Sequence, residues 1–220
     1  MFDVVRTILV AISGIAWSAV YVDCARTGFK DKTYCMPLWA LGLNIAWEGI
    51  YAYTDLFVRQ NVNAQAIANT CWFVLDILLV MTYLKYGKQE CKTVTDRKWF
   101  LPWTVLVIAV CFGLQMLFIA EFGSENAEIY SAYLQNLLMS VSFLMLLNRR
   151  RSARGQTMLI AVSKCVGTVA PTIIGIMENK PFIIVVGIMC AVFDIIYIFA
   201  LLKIKVKQEL SWSSSCFAFG

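Results

Sequence analysis

Seven stretches of about twenty mostly apolar residues follow one another along this chain, at 4–22, 35–57, 64–86, 100–122, 127–147, 156–177 and 182–203. Each is long enough to cross roughly 30 Å of hydrocarbon at 1.5 Å per helical residue. With 60% hydrophobic and 15% charged residues among 220, the chain lies outside the composition of a soluble domain. Lipid offers no partner to backbone polar groups, so only helices or a closed barrel can cross it. Barrel strands would alternate over about ten residues, and these runs do not. The expected fold class is all-α: a polytopic membrane protein whose seven transmembrane helices occupy residues 1–207, with a disordered cytosolic tail at 208–220. The polar pieces between runs are too short for a soluble domain. Function must reside in the bundle and its loops.

Fifteen of the nineteen Lys and Arg fall at one end of these runs, within 26–32, 85–98, 149–154 and 203–207. Arg6, Arg59 and Lys180 fall at the other end, and Lys164 lies inside the sixth run. The positive-inside rule then places the N-terminus in the lumen or outside and the C-terminus in the cytosol. The net charge of +5 is this topological signal and not a nucleic-acid surface. The first run is too long for a cleaved leader and lacks a clear cleavage site, so it is expected to be a retained helix. Eight Cys are scattered along the chain without the spacing of a disulfide framework. With no His and no paired-Cys motif, no metal, haem or other cofactor is expected.

Within the runs the candidate buried ionisable groups are Glu48, Asp76, Lys164 and Asp194. Such a side chain at a helix centre costs about 2.5–3.5 kcal/mol on insertion scales, which makes each a functional-site hypothesis. Glu48 is the most exposed to this cost, with no Lys or Arg within ten residues along the chain. Measured from the centres of their runs, Glu48, Asp76 and Asp194 differ in depth by only about 5 Å, so one chamber can hold all three. The bland alternative is that each carboxylate is hydrogen-bonded and merely holds helices together. The ends of the third and seventh runs, around Asp76 and Asp194, resemble each other, as a parallel internal repeat would require.

The company of Glu48 favours chemistry. Asn44 lies four residues before it and Tyr51 three after, on one helical face. Trp47 is adjacent and can wall the chamber. A carboxyl group dehydrated among aromatic rings favours its neutral form and can donate a proton to a weak base. Asp194, with Tyr197 nearby, is either a partner acid or an ionised carboxylate that later accepts a proton. Ring faces stabilise cations by roughly 0.5–2 kcal/mol each. Trp17, Trp47, Trp72 and Phe193 are candidates to line a substrate site, while Asn44, Tyr51, Tyr197 and Asp76 are candidates to support it. Lys164 is expected to serve helix packing or substrate positioning, and it also lies close enough to the cationic end to snorkel. A retinal-bearing Lys would belong in the middle of the last helix, where this chain has Asp194.

The segment Lys30-Asp31-Lys32-Thr33-Tyr34-Cys35-Met36-Pro37, followed by Asn44-Ile45-Ala46-Trp47-Glu48 and Tyr51, resembles the second-helix signature of the small integral-membrane terpene cyclases of fungal meroterpenoid and indole-diterpene pathways. The resemblance implies seven helices and a metal-free, non-redox cyclisation of a prenyl chain on an aromatic, polyketide-derived or indole head. It implies that Glu48 and Asp194 supply acid to a terminal epoxide or alkene. It also implies a greasy substrate entering sideways from lipid, an upstream epoxidase and prenyltransferase in the same membrane, and an endoplasmic-reticulum location. A reading from a different class is a small three-plus-one-plus-three transporter with midplane carboxylates, although the Pro-Gln motif of such carriers is absent.

Overall fold

The computed structural model describes residues 2–217, with side chains described for 2–210. Helices α1 (Phe2–Lys30), α2 (Leu38–Tyr53), α3 (Ala64–Tyr86), α4 (Val94–Arg150), α5 (Met158–Met177) and α6 (Pro181–Phe217) follow in order. A π-helical turn at Thr54–Val58 extends α2, and a 3-10 turn at Gly87–Glu90 closes α3. Among the described residues there is no strand. α6 carries the helix to Phe217, into the stretch expected to be a disordered tail, and 218–220 lie outside the described residues.

Local chemistry sets the helix starts. Pro37, with φ −60° and extended ψ, precedes α2, and Pro181 opens α6, where a missing N–H costs nothing. The Asn63 side chain accepts from Ala66 N at 2.9 Å to cap α3. Thr93 and Asp96 exchange side-chain and backbone bonds of 3.0 and 3.1 Å, a reciprocal capping box for α4.

The 57 residues of α4 are two helices in one, because Gly123 has φ 74° and ψ 156°. Only glycine adopts that backbone without strain. Gln115 donates to Gln135 at 3.0 Å, though twenty residues of straight helix would separate them by about 30 Å. The arms 94–122 and 124–150 therefore fold back on each other. The expected separate runs at 100–122 and 127–147 fall on these two arms, and the connector between them shrinks to one glycine. Every other expected run falls on its own helical rod, with 35–57 divided between α2 and its π-helical turn.

Burial is inverted relative to a soluble bundle. Ile15, Leu117 and Phe199 are 72%, 66% and 67% exposed, whereas Asn69, Asp76, Ser140, Lys164 and Asp194 have no exposure. That arrangement suits a lipid exterior and polar contacts between helices, as in a polytopic membrane protein. Small residues permit the close approaches. A Cβ on Gly42 would lie 2.9 Å from Cys111 Sγ, and one on Gly167 would lie 2.9 Å from the Trp17 indole. Pro171 leaves the carbonyl four residues earlier without its helical donor, and Ser13 Oγ supplies one to Gly167 O at 2.8 Å. One proline thus creates a polar bond between α1 and α5.

The cation-rich loops meet at one end of the bundle. Arg150 donates to Glu90 at 2.6 and 3.1 Å, Thr33 donates to it at 2.7 Å and Arg149 at 3.2 Å. Arg149 also bonds the Tyr34 hydroxyl, Arg154 reaches the carbonyls of Asp31 and Lys32, and Thr157 bonds Asp23. Burial by itself raises the Glu90 pKa, but Arg150, Thr33 and Arg149 outweigh it and hold the carboxyl below its ordinary value. A depressed folded value stabilises the fold above the unfolded value, and that contribution is lost as pH falls through the folded one. The thermal stability of the detergent-purified protein should decline as pH drops below about 4.3, and Glu90→Gln should lack this part of the decline. Superimposable pH–stability curves would show that the latch contributes nothing.

Candidate active site

Three helices build a polar cluster around one phenol. Tyr21 of α1 is buried and donates its hydroxyl to Glu48 Oε1 of α2 at 2.8 Å, while accepting from Asn44 Nδ2 at 2.7 Å. The Trp72 ring of α3 stacks on Tyr21 at 6.0 Å between centroids and 11° between planes. Its indole N–H donates to Ser18 Oγ at 3.0 Å, which fixes the ring against α1. Trp17 lies a turn before Tyr21, with centroids 6.5 Å apart. Asp76 follows Trp72 by four residues on the same face of α3. It is within electrostatic range of both Glu48 and Tyr21.

Four buried oxygens of this cluster have no hydrogen-bond partner from the protein: Glu48 Oε2, Asn44 Oδ1 and both carboxyl oxygens of Asp76. Each such atom costs about 1–3 kcal/mol, and native interiors keep few of them. Their concentration beside stacked aromatic rings is what a site for a polar ligand atom with a greasy body requires.

Asp194 belongs to a second cluster. Lys164 Nζ donates to its two oxygens at 2.7 and 3.0 Å and to Ser140 Oγ at 2.5 Å. Asn136 donates to Thr168 at 2.7 Å, a turn away on α4 and α5, so the two helices carry a polar ladder. Lys164 is fully buried and packs helices together without snorkelling, because Asp194 of α6 and Ser140 of α4 offer it better partners than the headgroups would. Trp17 links the clusters, touching Tyr21 on one side and Gly167, near Lys164, on the other. Tyr197 is buried near Asp194 with its hydroxyl unpartnered, its ring meeting Phe143 edge-on.

Other expected site residues lie elsewhere. Trp47 donates its N–H to Glu128 O at 3.0 Å, and its ring sits 5.0 Å from Tyr51. Both therefore pack against the second arm of α4, towards Arg59 and Glu128, and do not join Asn44 in holding the Glu48 carboxyl. Phe193 is half-buried beside Asp194 in sequence, with no ring contact to either cluster. Tyr21 and Ser140 were not anticipated. The signal for Tyr21 was a hydroxyl near the end of an apolar run, four residues after Trp17.

A third acid-bearing place differs in kind. The cavity of about 570 Å³ at the cationic end is lined by Tyr34, Tyr83, Phe100, Arg149, Arg150 and Glu90, among others. Its half-buried acid, Glu90, is already matched by arginines. Among these three places, only the Tyr21 cluster leaves carboxyl groups without a cationic partner.

Breaking a buried ion pair from one side costs about 3–5 kcal/mol, whereas replacing both partners with apolar groups is often neutral. Lys164→Met should therefore lower stability by about that amount, and Lys164→Met with Asp194→Leu should recover most of it, read by thermal unfolding in detergent. Equal stability of the single variant and the wild type would contradict the pairing.

Comparisons with known proteins converge on one family. The chain is 31% identical over 172 residues to the terpene cyclase andB of Emericella variicolor, covering 76% of this chain and 70% of that one. It is 31% identical over 172 residues to the asnovolin H synthase nvfL of Aspergillus novofumigatus, covering 76% and 68%. It is 26% identical over 210 residues to the terpene cyclase pyr4 of Aspergillus fumigatus, covering 90% and 86%. No solved structure matches. The family pattern of the Pyr4-like transmembrane terpene cyclases covers residues 2–207, the whole bundle from α1 into α6, and the chain belongs to that family.

Proposed function

We propose that this chain is a metal-independent cyclase in which Glu48 protonates a terminal epoxide, or an alkene, of a prenylated aromatic, polyketide-derived or indole substrate. The observation that carries the reading is the state of the Glu48 carboxyl. One oxygen accepts from Tyr21 and the other is buried with no partner. With no cation bonded to it, the group is cheapest to bury as the neutral acid. Its free oxygen then bears a proton that can leave.

Protonation opens the epoxide to a carbocation, and chain alkenes attack in sequence. Trp72, Tyr21 and Trp17 present ring faces along the path, which favours each successive cation. The bundle interior excludes water that would quench them, and ordering the chain before reaction fixes ring number and stereochemistry. Asp194, bonded to Lys164 by two hydrogen bonds, enters this scheme as an ionised carboxylate that stabilises charge, and not as a second acid. The family match displaces the transporter reading.

The orientation proposed is N-terminus lumenal and C-terminus cytosolic, because the latched Arg and Lys loops share one end. The resemblance to the family supports an endoplasmic-reticulum location as part of this proposal, with substrate arriving through the bilayer from an epoxidase and a prenyltransferase.

Microsomes from yeast expressing the chain, given epoxidised prenyl-aryl substrates, should yield cyclised isomers of unchanged mass. Glu48→Gln should lower turnover by about 100-fold or more, the usual worth of a general acid. Full turnover in Glu48→Gln would overturn the mechanism.

A further inference from the structure

Asp76 is fully buried, and neither of its carboxyl oxygens has a partner from the protein. No ion pair holds it, in contrast to Asp194, so a helix-bridging role does not account for it. Its place is specific. It sits a turn beyond Trp72, whose ring stacks on Tyr21, the phenol that donates to Glu48, and it lies within electrostatic range of Glu48. Glu48 Oε2 is the other unpartnered carboxyl oxygen of the same cluster. Two carboxyl groups buried in one cluster, with no cation paired to either, are cheapest to hold as neutral acids.

We propose that Asp76 is a second catalytic acid, donating a hydrogen bond to the same epoxide oxygen that Glu48 protonates. This inference rests on the cyclase reading. An epoxide oxygen has two lone pairs and can accept from both carboxyl groups at once, whereas a terminal alkene offers no such atom, so the pair selects an epoxide. In the step, the Glu48 Oε2–H bond breaks and an O–H bond forms at the epoxide oxygen. The epoxide C–O bond breaks at its more substituted carbon, and its electron pair stays on oxygen as the new hydroxyl. Asp76 transfers nothing; its hydrogen bond to that oxygen strengthens as the breaking C–O bond leaves its electron pair there. When the cascade ends, a C–H bond beside the last cation breaks, its electron pair forms the new C=C, and the proton returns to the Glu48 carboxylate. The substrate leaves as an isomer and both acids are restored.

A group kept for reaction and not for packing shows opposite effects on stability and activity. Asp76→Leu removes the unpartnered oxygens at similar volume, so its melting temperature in detergent should equal or exceed that of the wild type. Its turnover of the epoxide should fall by about 100-fold, as on loss of one donor to a developing oxyanion. Asp76→Asn, which keeps a weaker N–H donor, should fall between them, whereas Glu48→Gln has no proton to give and should lie lowest. Full epoxide turnover in Asp76→Leu would overturn the proposal. So would a loss of stability or failure to fold in Asp76→Leu, which marks a structural residue, or Asp76→Asn no better than Asp76→Leu. If the wild type itself forms no cyclised isomer from either an epoxide or an alkene while remaining folded, the cyclase reading fails first; cyclisation of the alkene alone would overturn the Asp76 proposal.

Discussion

The Tyr21 hydroxyl, shared between Glu48 Oε1 and Asn44 Nδ2 at 2.8 and 2.7 Å, ties α1 to α2 deep inside the bundle. Trp72 stacked on the same ring adds α3. A phenol can donate once and still accept, and here both capacities are used. The Glu48 carboxyl is consequently held by one oxygen only. Its other oxygen, with Asp76 nearby, stays uncommitted in a medium that penalises free charge. In the proposed mechanism, the same penalty that makes these groups costly to bury keeps their protons on them, ready for epoxide opening.

Two polar clusters solve the burial of charge in opposite ways. Lys164 and Asp194 neutralise each other across α5 and α6, with Ser140 completing the set. Glu48 and Asp76 have no such cation. Trp17 stands between the clusters, packed on Gly167 at a place where Pro171 has already drawn Ser13 to α5. The aromatic side chains thus lie between an acid region and a fixed ion pair, an arrangement suited to a positive charge that forms at one place and moves.

The helices were legible because lipid imposes a length and a composition on every crossing, and both are written in the apolar runs. The gathering of cationic loops was legible for a similar reason. What lay beyond reach was rotation of each helix about its axis. Trp47 and Glu48 are adjacent, yet a step of about 100° sends the indole to the second arm of α4 and the carboxyl to Tyr21. Tyr51 shares a helical face with Glu48 in projection but sits towards Arg59 and Glu128. For Lys164 the sequence left packing and snorkelling both open, because distance from a helix end says nothing about which neighbour the side chain meets. Tyr21 was missed because its importance comes from two other helices. The family match names a reaction class, and the proposed mechanism sets it at the unpaired carboxyl groups.

The account stands on Glu48 carrying its proton at neutral pH. Infrared difference spectra of the purified protein, wild type against Glu48→Gln in H2O and D2O, read that proton directly. A neutral carboxylic-acid carbonyl band, shifted by deuteration and lost in the variant, is the predicted result. A carboxylate band lost in its place would show Glu48 ionised and would contradict the account.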